Sequence, residues 1–136
     1  MRSIIHCLIF FSLFLSCTRT DRSEDLSQLV DEELSFSLEQ YKLMAQSLPD
    51  ANRLPRTTSR DDGSLVTSGT DWWCSGFFPG SLWYLYEYSG NPEILAEAKR
   101  RTAVLEREKF NTGTHDLGFM LFNSFGNGYR LTDDLQ

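Results

Sequence analysis

A short connection between two helical segments is the feature that most constrains the fold of this chain. Apolar residues recur at helical spacing from Phe78 to Ser89, and Gly90 then supplies a natural C-terminal stop. Asn91 is a favoured cap and Pro92 a favoured first-turn residue, so the next helix begins at once. Helices joined by so few residues run antiparallel. The sequence therefore predicts an αα-hairpin.

The pattern before and within this hairpin is helical as well. Residues 26–48 carry one apolar stripe, which predicts a first helix with Asp25 at its cap and Pro49 at its end. On the second helix of the hairpin, the charged residues, including Glu97 and Arg101, are expected to face water. No segment has a persuasive strand pattern, so the predicted fold class is all-α.

Two regions outside the hairpin complete the prediction. A further helix is expected over residues 116–125, ended by Gly126 and Gly128, and Thr132 with the acids after it is typical of the start of another. Residues 49–71 contain Pro, Gly and polar residues, which predicts a long loop. Such loops are often functional, but a plain surface excursion is equally compatible with this composition.

The N-terminus has the pattern of an export signal. Behind Arg2, residues 4–15 form an apolar run that is too short to span a bilayer. Ser16 and Cys17 then resemble a bacterial lipobox, which predicts cleavage before Cys17 and a lipid on its sulfur. An ordinary signal peptide that ends near a cysteine is the alternative. The predicted signal peptide, tether and folded domain are residues 1–16, 17–25 and 26–136. The expected location is the periplasm or surface of a bacterium.

Charge and cysteine content indicate which partners and bridges are not expected. The formal net charge is −6 and no Lys/Arg-rich block is present, which argues against a nucleic-acid partner. Once Cys7 is removed with the signal and Cys17 is lipidated, Cys74 alone remains. We therefore expect no disulfide and no cysteine-based metal site. We also expect no cofactor.

The aromatic segment that follows the predicted loop is the first candidate site. Trp72 and Trp73 lie at a junction between loop and helix, where indole faces can form a platform for a sugar ring. Gly76 and Gly80 would let backbones approach closely. Aromatic packing in the core is the competing interpretation, and composition alone favours it.

Two sets of polar residues are further candidates. Asp116 follows His115 at the start of the last predicted helix, where it is either a simple helix cap or an acid held in a cleft for proton transfer. Arg53, Arg56 and Arg60 in the predicted loop either meet a substrate carboxylate or sulfate, or are simply solvated.

Taken together, these segments resemble glycoside hydrolase family 88, the unsaturated glucuronyl hydrolases. The resemblance covers roughly residues 26–136 and fits better than the related unsaturated rhamnogalacturonyl hydrolases. It rests on these motifs, in this order: Asp71-Trp72-Trp73, Gly76-Phe77-Phe78-Pro79-Gly80, Leu82-Trp83, Leu85-Tyr86-Glu87, Ser89-Gly90-Asn91 and Thr114-His115-Asp116-Leu117-Gly118-Phe119.

The resemblance implies a fold and an activity. Members of the family are (α/α) barrels of six helical hairpins. They act on lyase-derived oligosaccharides, such as those from glycosaminoglycans, that end in a 4,5-unsaturated uronic acid. An acid protonates the vinyl ether, water adds, and the hemiketal collapses to release the next sugar. By position, Asp116 matches the first of two aspartates, Trp73 the aromatic under the unsaturated sugar, and His115 a residue lining the pocket.

The chain also departs from the family pattern. The general acid/base of the family is a second aspartate several helices downstream, for which this sequence offers no counterpart. Twelve helices with their loops need about 200 residues, so we expect an incomplete barrel that is inactive alone. Two alternatives remain: a non-catalytic lipoprotein that binds glycan ends through Trp73 or pairs with a separate C-terminal half, and an unrelated helical lipoprotein.

Overall fold

The computed structural model describes residues 22–133, which are mainly helical, as predicted. The signal peptide, Cys17 and most of the tether lie outside these residues. The elements are α1 Arg22–Ser47, β1 Leu54–Thr58, β2 Leu65–Ser68, α2 Phe77–Ser89, α3 Pro92–Ala103, a 3₁₀ helix Val104–Phe110, a π-helix Gly118–Gly126 and α4 Asn127–Thr132. Because α1 begins at Arg22, Asp25 is not its cap and residues 22–25 of the predicted tether are helical.

The predicted hairpin of α2 and α3 is confirmed. Gly90 takes the left-handed conformation with φ 62°, and its N–H donates to the carbonyl of Tyr86 at 2.8 Å. The side chain of Asn91 accepts from the backbone N–H groups of Glu93 at 2.8 Å and Ile94 at 3.4 Å. Local chemistry therefore ends one helix and begins the next within two residues.

The core lies between the hairpin and the C-terminal half of α1. Tyr41 of α1 stacks on Phe78 of α2 with ring centroids 5.5 Å apart. The N-terminal part of the predicted stripe, Leu26 and Val30, is exposed. The buried core residues are Leu54, Phe78, Leu82, Trp83, Leu85, Ile94, Ala98 and Leu105. Burial of this set orients α2, whose N-terminal end carries the candidate aromatic segment.

Arg101 corrects the prediction that the charged residues of α3 face water. Its side chain is 0% exposed. The guanidinium donates to Glu97 Oε1 at 2.7 Å, to the carbonyls of Asp50 at 3.0 Å and Arg53 at 2.9 Å, and to the carbonyl of Leu48. The chain folds over α3 after α1 ends, and the buried arginine donates to carbonyls of this turn, of which that of Asp50 also accepts from the N–H of Arg53 at 3.1 Å.

A β-hairpin replaces part of the predicted loop, so the expectation of no strands is wrong. Strands β1 and β2 are antiparallel, with Leu54 opposite Ser68 and Thr58 opposite Leu65. The strands are short and largely polar, and only Leu54 is buried as an apolar anchor. This leaves no regular apolar alternation from which a strand is predicted.

The C-terminal segment continues where the sequence predicts a break. The π-helix runs through Gly126 and leads directly into α4. A Cβ at Gly128 would lie 2.9 Å from the Trp83 ring, so this glycine serves close packing rather than a helix end. Thr132 ends α4 instead of starting a helix, and Asp133 takes the left-handed conformation after it with φ 54°.

Candidate active site

Asp116 lies at the end of the loop that precedes the π-helix. Its backbone N–H donates to Thr114 Oγ1 at 3.1 Å, and its carbonyl accepts from the N–H of Phe119 at 2.9 Å. The Asp116 side chain is 25% exposed, whereas that of His115 is 96% exposed, with Nε2 3.6 Å from Asp116 Oδ1. Within residues 22–133 the carboxylate accepts no hydrogen bond, so the simple cap interpretation does not hold.

Three aromatic side chains form a cluster beside this loop. Trp73, Phe77 and Phe119 have pairwise ring-centroid distances of 5.9, 6.2 and 5.8 Å. Their exposed fractions are 44%, 41% and 50%, respectively. The cluster is therefore partly open to solvent rather than buried in the core. Phe119 connects it to Asp116, one helical turn earlier, so the two sequence motifs meet here.

Gly76 and Gly80 make this meeting sterically feasible. A Cβ at Gly76 would lie 2.2 Å from the carbonyl oxygens of both Phe119 and Met120. A Cβ at Gly80 would lie 2.8 Å from the carbonyl oxygen of Asn123. The predicted close backbone approach is thus present, between the start of α2 and the π-helix. The π-helix is itself a form that is frequent at functional sites.

A buried carboxylate that sequence reasoning missed holds the two motifs in place. Glu108 is buried and accepts from Thr70 Oγ1 at 2.6 Å and from Asn111 Nδ2 at 2.9 Å. Asn111 Oδ1 in turn accepts from the Gly113 N–H at 2.8 Å. Thr70 precedes the tryptophans and Gly113 precedes Asp116, so this network fixes both loops. Thr70 and Glu108 are distant in sequence, and no local pattern signals their pairing.

The three loop arginines have different surroundings. Arg53 is tied to the hairpin, since its guanidinium donates to Thr67 Oγ1 at 2.9 Å. Arg56 lies over the Trp72 ring, with Cζ 4.1 Å from the ring centroid. Arg60 is exposed near the hairpin turn. The two tryptophans therefore have different neighbours, because Arg56 lies over Trp72 while Trp73 belongs to the aromatic cluster.

Comparison with known proteins assigns the family. No family model matches the chain. An unsaturated glucuronyl hydrolase of Formosa agariphila is 29% identical over 140 residues, which cover 100% of this chain and 35% of that protein. The crystal structure of an unsaturated glucuronyl hydrolase specific for heparin is 41% identical with a TM-score of 0.71, over 76% of this chain and 27% of that one. This chain belongs to the unsaturated glucuronyl hydrolase family.

Two further relatives are similar over shorter stretches. An unsaturated glucuronyl hydrolase of Bacillus sp. strain GL1 is 34% identical over 73 residues, which cover 51% of this chain and 19% of that protein. An unsaturated chondroitin disaccharide hydrolase of Streptococcus pyogenes serotype M1 is 30% identical over 100 residues, covering 71% and 23%. The chain thus spans about a third or less of these curated relatives, and its fold is the corresponding part of the (α/α) barrel of the unsaturated glucuronyl hydrolase family.

Other features of residues 22–133 lie apart from the candidate site. A cavity of about 250 Å³ lies between α3 and α4, lined in part by Trp83, Thr102, Phe125 and Tyr129, and it includes none of the predicted site residues. Residues 22–133 contain no group of His, Cys, Asp and Glu able to hold a metal ion. No helix in this part of the chain is long and apolar enough to cross a membrane.

Proposed function

We propose that this chain supplies the aromatic cluster and the first aspartate of an unsaturated glucuronyl hydrolase site. One observation carries the proposal. The contact of Gly76 with the π-helix joins Trp73 to Phe119, one helical turn from Asp116. The reaction is hydration of the 4,5-double bond of a terminal unsaturated uronic acid, followed by release of the next sugar.

Each site residue has a role that its surroundings support. The rings of Trp73, Phe77 and Phe119 offer a partly exposed apolar surface to the sugar ring, which the double bond flattens. The Asp116 carboxylate is half-buried and accepts no hydrogen bond from residues 22–133, so its oxygens remain open to sugar hydroxyls and to water. Asp116 orients these groups. His115, which is almost fully exposed, lines the outer edge.

Turnover needs more than this part of the site. Protonation of the vinyl ether requires a general acid, and Asp116 is the carboxylate that the family resemblance assigns to orientation. We therefore expect the 136-residue chain to bind the unsaturated sugar without hydrating it. Substrates derived from glycosaminoglycans are favoured, because the similar proteins include a chondroitin disaccharide hydrolase and a heparin-specific hydrolase.

A fluorescence titration of the full chain with a chondroitin- or heparin-derived unsaturated disaccharide tests this function. Binding is expected to quench tryptophan emission and to be lost in Trp73→Ala. Asp116→Asn is expected to weaken it. Phe122→Ala is the matched control, because Phe122 is an exposed ring of the same π-helix outside the cluster. Equal binding by the Trp73 and Phe122 variants would refute the proposal. It would also be refuted if the wild-type chain and Asp116→Asn both removed the ultraviolet absorbance of the disaccharide.

A second candidate is a binding role completed by another polypeptide. Large apolar side chains are exposed on several sides of the described chain, including Phe36, Leu43, Phe110 and Phe122. A second polypeptide that covered these side chains would remove their apolar surface from water. If a separate chain carries the remainder of the barrel, mixing this chain with the remaining two thirds of a relative restores turnover. If this chain is only a glycan-binding protein, the same mixture stays inactive while this chain still binds the disaccharide.

The proposal includes a lipid anchor at Cys17 and a location in the periplasm or at the cell surface. Its support is the signal sequence, with Arg2, the apolar run 4–15 and the Ser16-Cys17 pair. An anchored site of this kind faces oligosaccharides released outside the cytoplasm. The partners expected are therefore an unsaturated uronic-acid oligosaccharide and, through the lipid alone, a membrane.

A further inference from the structure

The β-hairpin aims one arginine at the aromatic segment. In the pairing of β1 with β2, Pro55 lies opposite Thr67 and Thr57 opposite Val66, so Arg56 is the extra residue of a β-bulge. Bulges bend a strand, redirect a side chain and are frequent next to active sites. Here the redirected guanidinium lies over the indole of Trp72, with Cζ 4.1 Å from the ring centroid.

In the part of the chain that the structure describes, the charge of Arg56 has no counter-ion. Within residues 22–133 its guanidinium forms no ion pair and no hydrogen bond, although the whole chain has a formal net charge of −6. Most other arginines of this part of the chain are engaged, such as Arg100 with Glu97 and Arg130 with Glu87. Stacking on Trp72 restrains the flat face of the Arg56 guanidinium and leaves its N–H edge open.

The place of Arg56 relative to the cluster suggests its ligand. Trp72 directly precedes Trp73, and the Thr70–Glu108 hydrogen bond fixes the start of this segment. We propose that Arg56 is a specificity-determining residue that binds an oxyanion of the oligosaccharide, either the uronate carboxylate or a sulfate ester. A guanidinium edge matches both groups through two parallel N–H···O bonds. The inference rests on the proposed function, because it takes the aromatic cluster as the sugar site.

Calorimetric titration of the full 136-residue chain with a sulfated unsaturated disaccharide tests this role. Arg56→Gln is expected to bind about tenfold more weakly, since it removes charge-assisted hydrogen bonds. Arg56→Lys is expected to recover part of the loss, because it keeps the charge but not the bidentate edge. Arg60→Gln is the matched control. It removes the same charge from an exposed position of the same hairpin, and its binding is expected to stay within about twofold of wild type.

Modified disaccharides identify the group that Arg56 contacts. If the desulfated ligand no longer distinguishes Arg56→Gln from wild type, the contact is to sulfate. If the methyl ester of the uronate abolishes the difference, the contact is to the carboxylate. Equal weakening by Arg56→Gln and Arg60→Gln overturns the inference, because it shows only a general charge effect. Unchanged affinity of Arg56→Gln, in a protein whose binding still depends on Trp73, overturns this inference but not the proposed function. Absence of binding by wild type overturns both.

Discussion

Replacing Gly76 by alanine tests how the two motifs are joined. The added Cβ would lie 2.2 Å from the carbonyl oxygens of Phe119 and Met120. Real Cβ atoms essentially never come within 3.0 Å of another heavy atom, so α2 and the π-helix must separate by at least about 0.8 Å. Gly76 has φ −77° and ψ −13°, which alanine also adopts, so backbone strain at residue 76 contributes nothing. Overpacking costs about 1–3 kcal/mol. We expect about 3 kcal/mol, because backbone atoms cannot swing aside.

Thermal unfolding and near-ultraviolet circular dichroism provide the assay. At about 4 °C per kcal/mol for a domain of this size, Gly76→Ala is expected to melt about 12 °C lower than wild type. Its aromatic dichroism is expected to fall, because Trp73 and Phe119 separate. Gly118→Ala is the control, since a Cβ there meets nothing within 4 Å, and it is expected to be neutral or stabilising by up to about 1 kcal/mol. Similar melting temperatures for the two variants would refute this reasoning.

Three further outcomes are expected. Arg101→Met is expected to destabilise the domain by about 3 kcal/mol in urea unfolding, because Glu97 and three backbone carbonyls each lose one hydrogen bond from a buried charged donor. Arg101→Lys is expected to restore only part of that loss. Burial raises the pKa of Glu97, but hydrogen bonds from Arg100 and Arg101 outweigh it and hold the pKa below its ordinary value of 4.5. The free energy that this lowered pKa contributes to folding is complete above pH 4.5 and is lost as the pH falls through the lowered pKa. In that pH range the free energy of unfolding of Glu97→Gln is therefore expected to change less with pH than that of wild type. Cys17→Ala is expected to abolish incorporation of labelled fatty acid in a bacterial host, and unchanged labelling would contradict the predicted anchor.

The sequence predicts best where short-range chemistry decides the structure. Gly90 and Asn91 satisfy the exposed backbone groups of adjacent helix ends, so the α2–α3 hairpin is predictable from neighbouring residues alone. The segment with Gly126 and Gly128 also contains residues that commonly end a helix, yet the helix continues through it. There the Trp83 ring packs against Gly128, and a contact with another helix overrides the local preference.

Contacts between residues far apart in the chain explain the other differences between the predicted and the observed structure. Arg101 is predicted at the surface by helical spacing, but three of its four hydrogen-bond partners are carbonyls about 50 residues away in the chain, such as that of Asp50. The β-hairpin depends on cross-strand pairing and on the burial of Leu54, neither of which produces a clear periodic pattern. Glu108 is missed for the same reason, since its acceptor role depends on Thr70.

The candidate site is predictable mainly through motifs rather than through local physics. Composition alone favours core packing for Trp73, whereas the structure leaves it partly exposed beside Phe119. The roles assigned to Trp73, Asp116 and His115 stay predictions, which binding experiments must test. The bulge that redirects Arg56 is a tertiary feature with no counterpart in the spacing of residues along the chain.

Backbone amide shift mapping by NMR tests the central claim most directly. The full chain is titrated with an unsaturated glycosaminoglycan disaccharide and, separately, with its saturated counterpart. If the aromatic cluster and Asp116 form the sugar site, amides of residues 71–77 and 114–120 shift with the unsaturated ligand and much less with the saturated one. Shifts confined to the cavity between α3 and α4, or equal shifts with both ligands, would contradict the account.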